Sequence, residues 1–452
     1  MRGTLASLVP ILTLIALGAC GASNPADPSP HPAMWQAPVR LGPTEGAGIS
    51  FAEPIVAADG NGHALVTWGE ARPIAGPGSR LGVDVRASWF DPGSGWGTPA
   101  TVGGAGQTVP VMATLDMVRD GRAVLVWRAP PSAVASFFSP GGNWTPPAVT
   151  PVTVFPKVAL GPDGRAIAVW PGIDDPAATA WWEHVSLFSV AFAPEGLAPT
   201  EVVATSGPPG YLPLDVGVDD AGNTLSVWLQ SGLLELPHDP PSVWASRLAK
   251  GGGWGEPERL DALPETNNPS QIPLDLDVHP DGHAVAAWEG AAGIEASLYG
   301  PSGWGTPTLV GPRSAGHVRV AMSAGGRAVA VWLSEHGIQA VEFRPGRGWS
   351  AAQDIDDTPV IDARLDRGWI ELGLDEAGGG WTLWAAQDRV QAARLDPSGR
   401  WDPPVSLQST NTQASWPRLA VSATGQAFAT WAETHDHYAD EVWAAVYVPE
   451  GR

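Results

Sequence analysis

The 452-residue chain has one cysteine, Cys20, so no intrachain disulfide can form. Charge is scarce at 16% of residues, and the basic share is smaller still: 25 Lys and Arg against 47 Asp and Glu, a formal net charge of −22. That balance works against nucleic acid and anionic lipid headgroups and favours solubility. No long apolar stretch repeats with the 3.6-residue period of a helix. The motifs of common enzyme classes are missing too: no Gly-x-Ser-x-Gly elbow, no His-Glu-x-x-His and no Gly-rich phosphate loop. Nothing in the sequence calls for a cofactor. What is plentiful is 55 Gly, 46 Pro and 23 Trp, a composition suited to many short strands and tight turns.

Residues 1–19 read as an export signal, with Arg2 as a positive n-region and an apolar run from Leu5 to Leu17 too short to span a membrane. They end Leu17-Gly18-Ala19-Cys20, which resembles the bacterial lipobox, so Cys20 is expected to carry acyl chains. Two or three chains on one residue exceed the single chain that holds only marginally. Residues 20–33 then form the lipidated cysteine and a Pro-rich tether. The expected address is the bacterial cell envelope. Outer-membrane sorting is favoured because Gly21, not Asp, follows the cysteine.

The body, 34–452, repeats itself. A turn glycine is followed six residues later by tryptophan eight times: Gly62 and Trp68, Gly121 and Trp127, Gly164 and Trp170, Gly222 and Trp228, Gly282 and Trp288, Gly326 and Trp332, Gly378 and Trp384, Gly425 and Trp431. Between them the chain alternates with period two, as in Gly282 to Trp288, and reads as a strand. Small residues such as Ala64, Ala123 and Ala284 fill one face, and large apolar ones such as Leu65, Val124 and Val285 fill the other. Both faces must therefore be covered. Each unit continues with a strand like Ile294 to Pro301 and a last strand with Trp and Pro three apart, as at Trp96 and Pro99 or Trp304 and Pro307. Four short antiparallel strands in a repeat of forty to sixty residues make a propeller blade.

The fold expected is all-β, a single eight-bladed propeller of four-stranded antiparallel blades. The eighth repeat stops at its third strand, while Trp35 to Gly42 is a last strand with no unit before it. Supplied from the N-terminal side, that segment completes the last blade beside Val442 to Tyr447, closes the ring and removes two open sheet edges.

Of the 23 Trp, 15 recur in register, eight after the turn glycine and seven in the last strand, and those are read as packing. The others are the candidates for function. Loop length varies on one face, where binding usually lives. Trp369 and Trp416 sit where most units open their first strand, which places them at the channel mouth of blades seven and eight. The nearby loop offers His435, His437 and Tyr438 as further ligand-binding residues. The same loop holds a His-x-His spacing, with Glu433 and Asp436 as carboxylates, that could ligate zinc or copper. Trp181 and Trp182 form a second candidate patch. The turn carboxylates Asp59, Asp219, Asp375, Asp120, Asp163 and Asp281 do not keep one offset from their glycine, so they are read as turn chemistry and not as a repeated calcium site.

The repeat, roughly P-x-V-A-x-D-x-x-G-x-A-x-A-V-W followed by V-x-A-S-x-F-x-P-x-x-G-W-G-x-P, resembles the Trp-rich propeller repeats of uncharacterised bacterial lipoproteins over 34–452. The resemblance implies fold and address. Without a catalytic motif, the expected role is a monomeric, membrane-anchored binding or scaffold module. Its partner would be an envelope protein or glycan, gripped through the variable-loop face. The alternative is a glycan-directed hydrolase with acidic residues at the channel mouth.

Overall fold

In the computed structural model, described for residues 34–42, 53–74, 80–104, 113–129, 132–152, 156–173, 185–205, 214–230, 241–262, 272–312, 316–334, 337–357, 370–386, 389–408, 413–435 and 439–450, eight antiparallel sheets stand around one channel. Each blade runs inner strand, two middle strands, outer strand. Blade 4, for example, is Leu214–Val218, Thr224–Gln230, Ser242–Leu248 and Glu258–Ala262. The inner strands touch in chain order, and that of blade 8 (Gln413–Val421) meets that of blade 1 (Ile55–Ala58), so the ring is closed.

The N-terminal strand closes it as its motif requires. Met34–Trp35 and Val39–Gly42 pair antiparallel with Ala439–Val448, with Trp35 opposite Tyr447, Val39 opposite Ala444 and Gly42 opposite Val442. In most blades the outer strand is in two pieces with proline, which donates nothing to the ladder, three residues after the tryptophan, and blade 6 breaks at the same place (Gly348–Trp349 and Gln353–Asp356) with Ala352 there. A serine of the third strand fills the gap. Ser88, Ser136, Ser246 and Ser297 each donate to the carbonyl just after the outer tryptophan, at 2.9, 2.6, 2.8 and 2.8 Å. The serine of the repeated Ala-Ser pair thus satisfies an outer-strand carbonyl beside the break in the ladder.

All eight tryptophans that follow the turn glycine are buried between blades, none more than 3% exposed. At about 25 cal/mol per Å2 and roughly 200 Å2 per indole, each stabilises the ring by on the order of 5 kcal/mol relative to the unfolded chain. A glycine at or next to the end of an outer strand makes room for the tryptophan of the next blade. A Cβ on Gly103 would lie 2.7 Å from the Trp127 ring, and one on Gly311 2.5 Å from Trp332. Gly42 stands against Trp68 in the same way, which explains the last residue of the closing strand.

The turn carboxylates do cap turns. Asp59 accepts from the backbone N–H groups of Asn61 and His63, Asp219 from Asn223, Asp375 from Gly379, and Asp120, Asp163 and Asp281 from the residue two positions on. No helix among the described residues is long and apolar enough to cross a membrane.

Candidate functional site

Counting back from each turn glycine gives the layers of the channel. Seven residues before it, the eight blades contribute Ile55, Thr114, Lys157, Asp215, Asp275, Arg319, Glu371 and Arg418 in ring order. Six consecutive blades therefore present charge at one height. The charges are interlocked: Lys157 Nζ is 3.5 Å from Asp215, Arg319 is 3.8 Å from Asp275 and 3.6 Å from Glu371, and Arg418 is 3.1 Å from Glu371. Two residues deeper the layer is small or uncharged except for Asp116 and Asp277.

These carboxylates sit there for a structural reason. An inner strand has a free edge toward the channel, and its N–H groups need acceptors. Asp116 accepts from Leu160 N–H of the next blade at 2.6 Å, Asp275 from Val320 at 2.8 Å, Asp277 from Met322 at 2.7 Å and Asp215 from Leu276 at 3.4 Å. Each acid thereby stitches its blade to the following one.

The stitching leaves the acids perturbed. Burial pushes the Asp116 carboxyl up to about 6, opposed by the N–H bonds from Leu160 and Met117 and reinforced by repulsion from Asp215 and Asp277. Burial likewise pushes Asp275 up to about 7, against the pull of Arg319 and with Asp215 adding repulsion. Asp277 is pushed up by burial, with the Met322 N–H and His279 opposing. A carboxyl that holds its proton near neutral pH, set beside one tied to an ammonium, can exchange protons with a bound molecule.

Asp116, Asp215 and Asp277, with Lys157 and Thr114, line a cavity of about 380 Å3 on the side of the channel formed by blades 2 to 5. At the end bearing the tight turns the channel is crossed by an ion pair between Arg119 of blade 2 and Glu376 of blade 7. His279 of blade 5 stands 3.6 Å from the same carboxylate.

The residues singled out in the sequence fall differently. Trp416 lies half-buried on the inner strand of blade 8, two residues before Arg418, in the left-handed region at φ 50° where the pairing register slips. It does not line the 380 Å3 cavity, which opens on other blades. His317 holds the same repeat position in blade 6, at φ 49° and also at a register slip. These are the two non-glycine residues with positive φ among those described, and such strain concentrates at working sites. Sequence reading missed His317, although counting nine back from Gly326 finds it.

Glu433 is buried and accepts from the Trp431 indole at 2.9 Å and from the Gln408 amide at 3.2 Å. His435 is described only through its backbone, which pairs with Ala439. Cys20, Trp181, Trp182, Trp369, Asp436, His437 and Tyr438 lie outside the described residues. Among the described residues no group of three or more His, Cys, Asp or Glu is arranged to hold a metal ion.

No family model matches the chain, and no curated protein is similar to it. Solved structures are similar in fold. The Aleuria aurantia lectin in complex with Fucalpha1-6GlcNAc shares 9% identity at a TM-score of 0.41, over 80% of this chain and 97% of its own. The NanB sialidase from Streptococcus pneumoniae shares 10% at 0.39, over 92% and 70%. The polysaccharide lyase Uly1 shares 7% at 0.45, over 87% and 89%. The chain's own eight sheets make it an eight-bladed β-propeller.

The expectation that favours a binding module over an enzyme for want of catalytic motifs is corrected by the channel itself, where burial pushes the Asp116 and Asp275 carboxyls up toward neutral pH although no linear motif marks them.

Proposed function

We propose that the protein acts on a glycan, holding the end of a sugar chain in the channel and hydrolysing it there. The observation that carries this reading is the convergence of Asp116, Asp215, Asp277 and Lys157 on one cavity. Glycoside hydrolysis needs one carboxyl that still holds a proton for the leaving oxygen and a second that is ionised, to activate water or attack the sugar. Asp116 takes the first role below about pH 6. Asp215, paired with Lys157, takes the second. A cavity of this size, walled by acids and an ammonium, also suits the hydroxyls of a sugar.

The leader and the likeness to Trp-rich lipoproteins support a place at the bacterial envelope, with Cys20 acylated and the outer membrane favoured. The substrate is then an envelope glycan. The test is to incubate the full chain with peptidoglycan, lipopolysaccharide and capsular polysaccharide and to measure bound and released sugar. Binding with release of reducing ends is expected. Binding with no release from any of them would reduce the function to capture, and neither would remove the glycan reading.

A further inference from the structure

The seam where the ring closes holds a second cavity, of about 480 Å3. It is walled by the closing strand from Met34 to Pro38, by Trp381, Arg394 and Asp402 of blade 7, and by Tyr447. In other blades the outer tryptophan packs on one ring of its own third strand, as Trp96 does on Phe90 at 5.2 Å and Trp349 on Phe343 at 5.5 Å. The seam departs from that pattern. Trp381 stands where most blades carry an aliphatic residue, and three rings cluster: Trp35 to Trp381 at 4.9 Å, Trp381 to Tyr447 at 4.7 Å and Trp35 to Tyr447 at 5.8 Å.

Two polar groups in this cluster have nothing to bind. Tyr447 is 4% exposed, and neither its hydroxyl nor Trp35 Nε1 has a hydrogen-bond partner. Unpaired indole N–H groups recur at the packed tryptophans between blades, but Tyr447 is the one tyrosine among the described residues with a buried, unpaired hydroxyl, and its place on a cavity wall points to an occupant that supplies an acceptor. Arg394 adds a third unmatched donor. Its Cζ lies 5.5 Å from the Tyr447 ring centroid, and it forms no ion pair among the described residues. Asp402, on the same wall, is engaged by Arg400 at 3.2 Å.

Each available group can donate, the indole N–H and the guanidinium as donors alone and the phenol as donor or acceptor. Their match is a molecule with a flat apolar face, several acceptor oxygens and a negative charge. We propose that the seam cavity binds a carboxylated sugar. The carboxylate pairs with Arg394, the ring lies against Trp35, and ring oxygens accept from Tyr447 and the Trp35 indole. Both orphan groups lie under the cavity wall, so the proposal requires Arg394, which is half-exposed and stands over the Tyr447 ring, to move off that ring when the sugar binds.

This site is independent of the channel reading. Titrate the full chain with glucuronic acid, glucose and acetate, following saturation-transfer NMR and calorimetry. Glucuronic acid is expected to saturate a site at least tenfold more tightly than glucose or acetate. Tyr447→Phe and Arg394→Gln should each weaken it at least tenfold. Tyr447→Phe, which removes an unpaired hydroxyl, should melt no lower than the parent, and the channel variant Asp116→Asn should bind as the parent does. Equal affinity for acetate, unchanged binding in Tyr447→Phe, or no saturation by glucuronic acid would overturn the proposal.

Discussion

Replacing Asp116 with asparagine removes a titrating group without changing its shape, and the structure gives the expected sign at each pH. The folded carboxyl is pushed up to about 6 from an ordinary value of 3.8. Its stabilising contribution is therefore complete below the unfolded pKa and lost as pH rises through about 6. Two pKa units at about 1.4 kcal/mol each put that loss on the order of 3 kcal/mol by pH 8. Asparagine escapes the loss but has its own cost. Both carboxyl oxygens accept a backbone N–H, from Met117 and from Leu160, and the amide can serve only one of them. One lost bond costs about 1 kcal/mol. Asp116→Asn should thus be about 1 kcal/mol less stable than the parent at pH 4 and about 2 kcal/mol more stable at pH 8. Urea melts at the two pH values, compared at constant m, measure the crossing. Parallel pH dependence in parent and variant would refute the assignment of a raised carboxyl.

A chain starting at Pro43 lacks the strand opposite Val442 to Tyr447, and it should aggregate or lose most of a stability that for a domain totals about 5–15 kcal/mol; a melt like that of the parent would rule out ring closure. Trp228 and Trp431 are both fully buried, but the Trp228 indole N–H is unpaired while that of Trp431 bonds Glu433. Trp431→Phe should therefore cost about 2 kcal/mol more than Trp228→Phe in urea, since it also removes a donor to a buried acid. Equal costs would show that the bond contributes nothing. Growing cells fed a clickable fatty acid should label the parent and not Cys20→Ser, and equal labelling would end the lipoprotein reading.

The repeat was legible because it is written by packing. A glycine that turns, an alanine face and a tryptophan between blades recur in nearly every unit, and a closing strand detached from its blade still carries its Trp, Pro and Gly. The serine of the third strand also recurs, yet its purpose appears only when the outer strand is seen to break after its tryptophan.

The channel was harder to read. Asp116, Asp215, Asp275 and Asp277 are each unremarkable in their own segments, and they meet only because inner strands separated by forty to sixty residues stand side by side. A signal did exist. Charge at one fixed offset in six consecutive strands whose two faces are both covered cannot be ordinary surface charge. Motif searches look along the chain and so pass over it. Sequence reading instead followed off-register aromatics to blades seven and eight, where Trp416 does reach the inner strand while the cavity opens across the ring.

The most direct test of the channel as a working site is release of reducing sugar from envelope polysaccharide at pH 5 and pH 8, with Asp116→Asn and Asp215→Asn beside the parent. A general acid with its pKa near 6 is mostly protonated at the first pH and about 1% protonated at the second. The account predicts release by the parent at pH 5, a fall on the order of a hundredfold at pH 8, and no release by either variant although both stay folded. Release undiminished at pH 8, or retained in both variants, would contradict it.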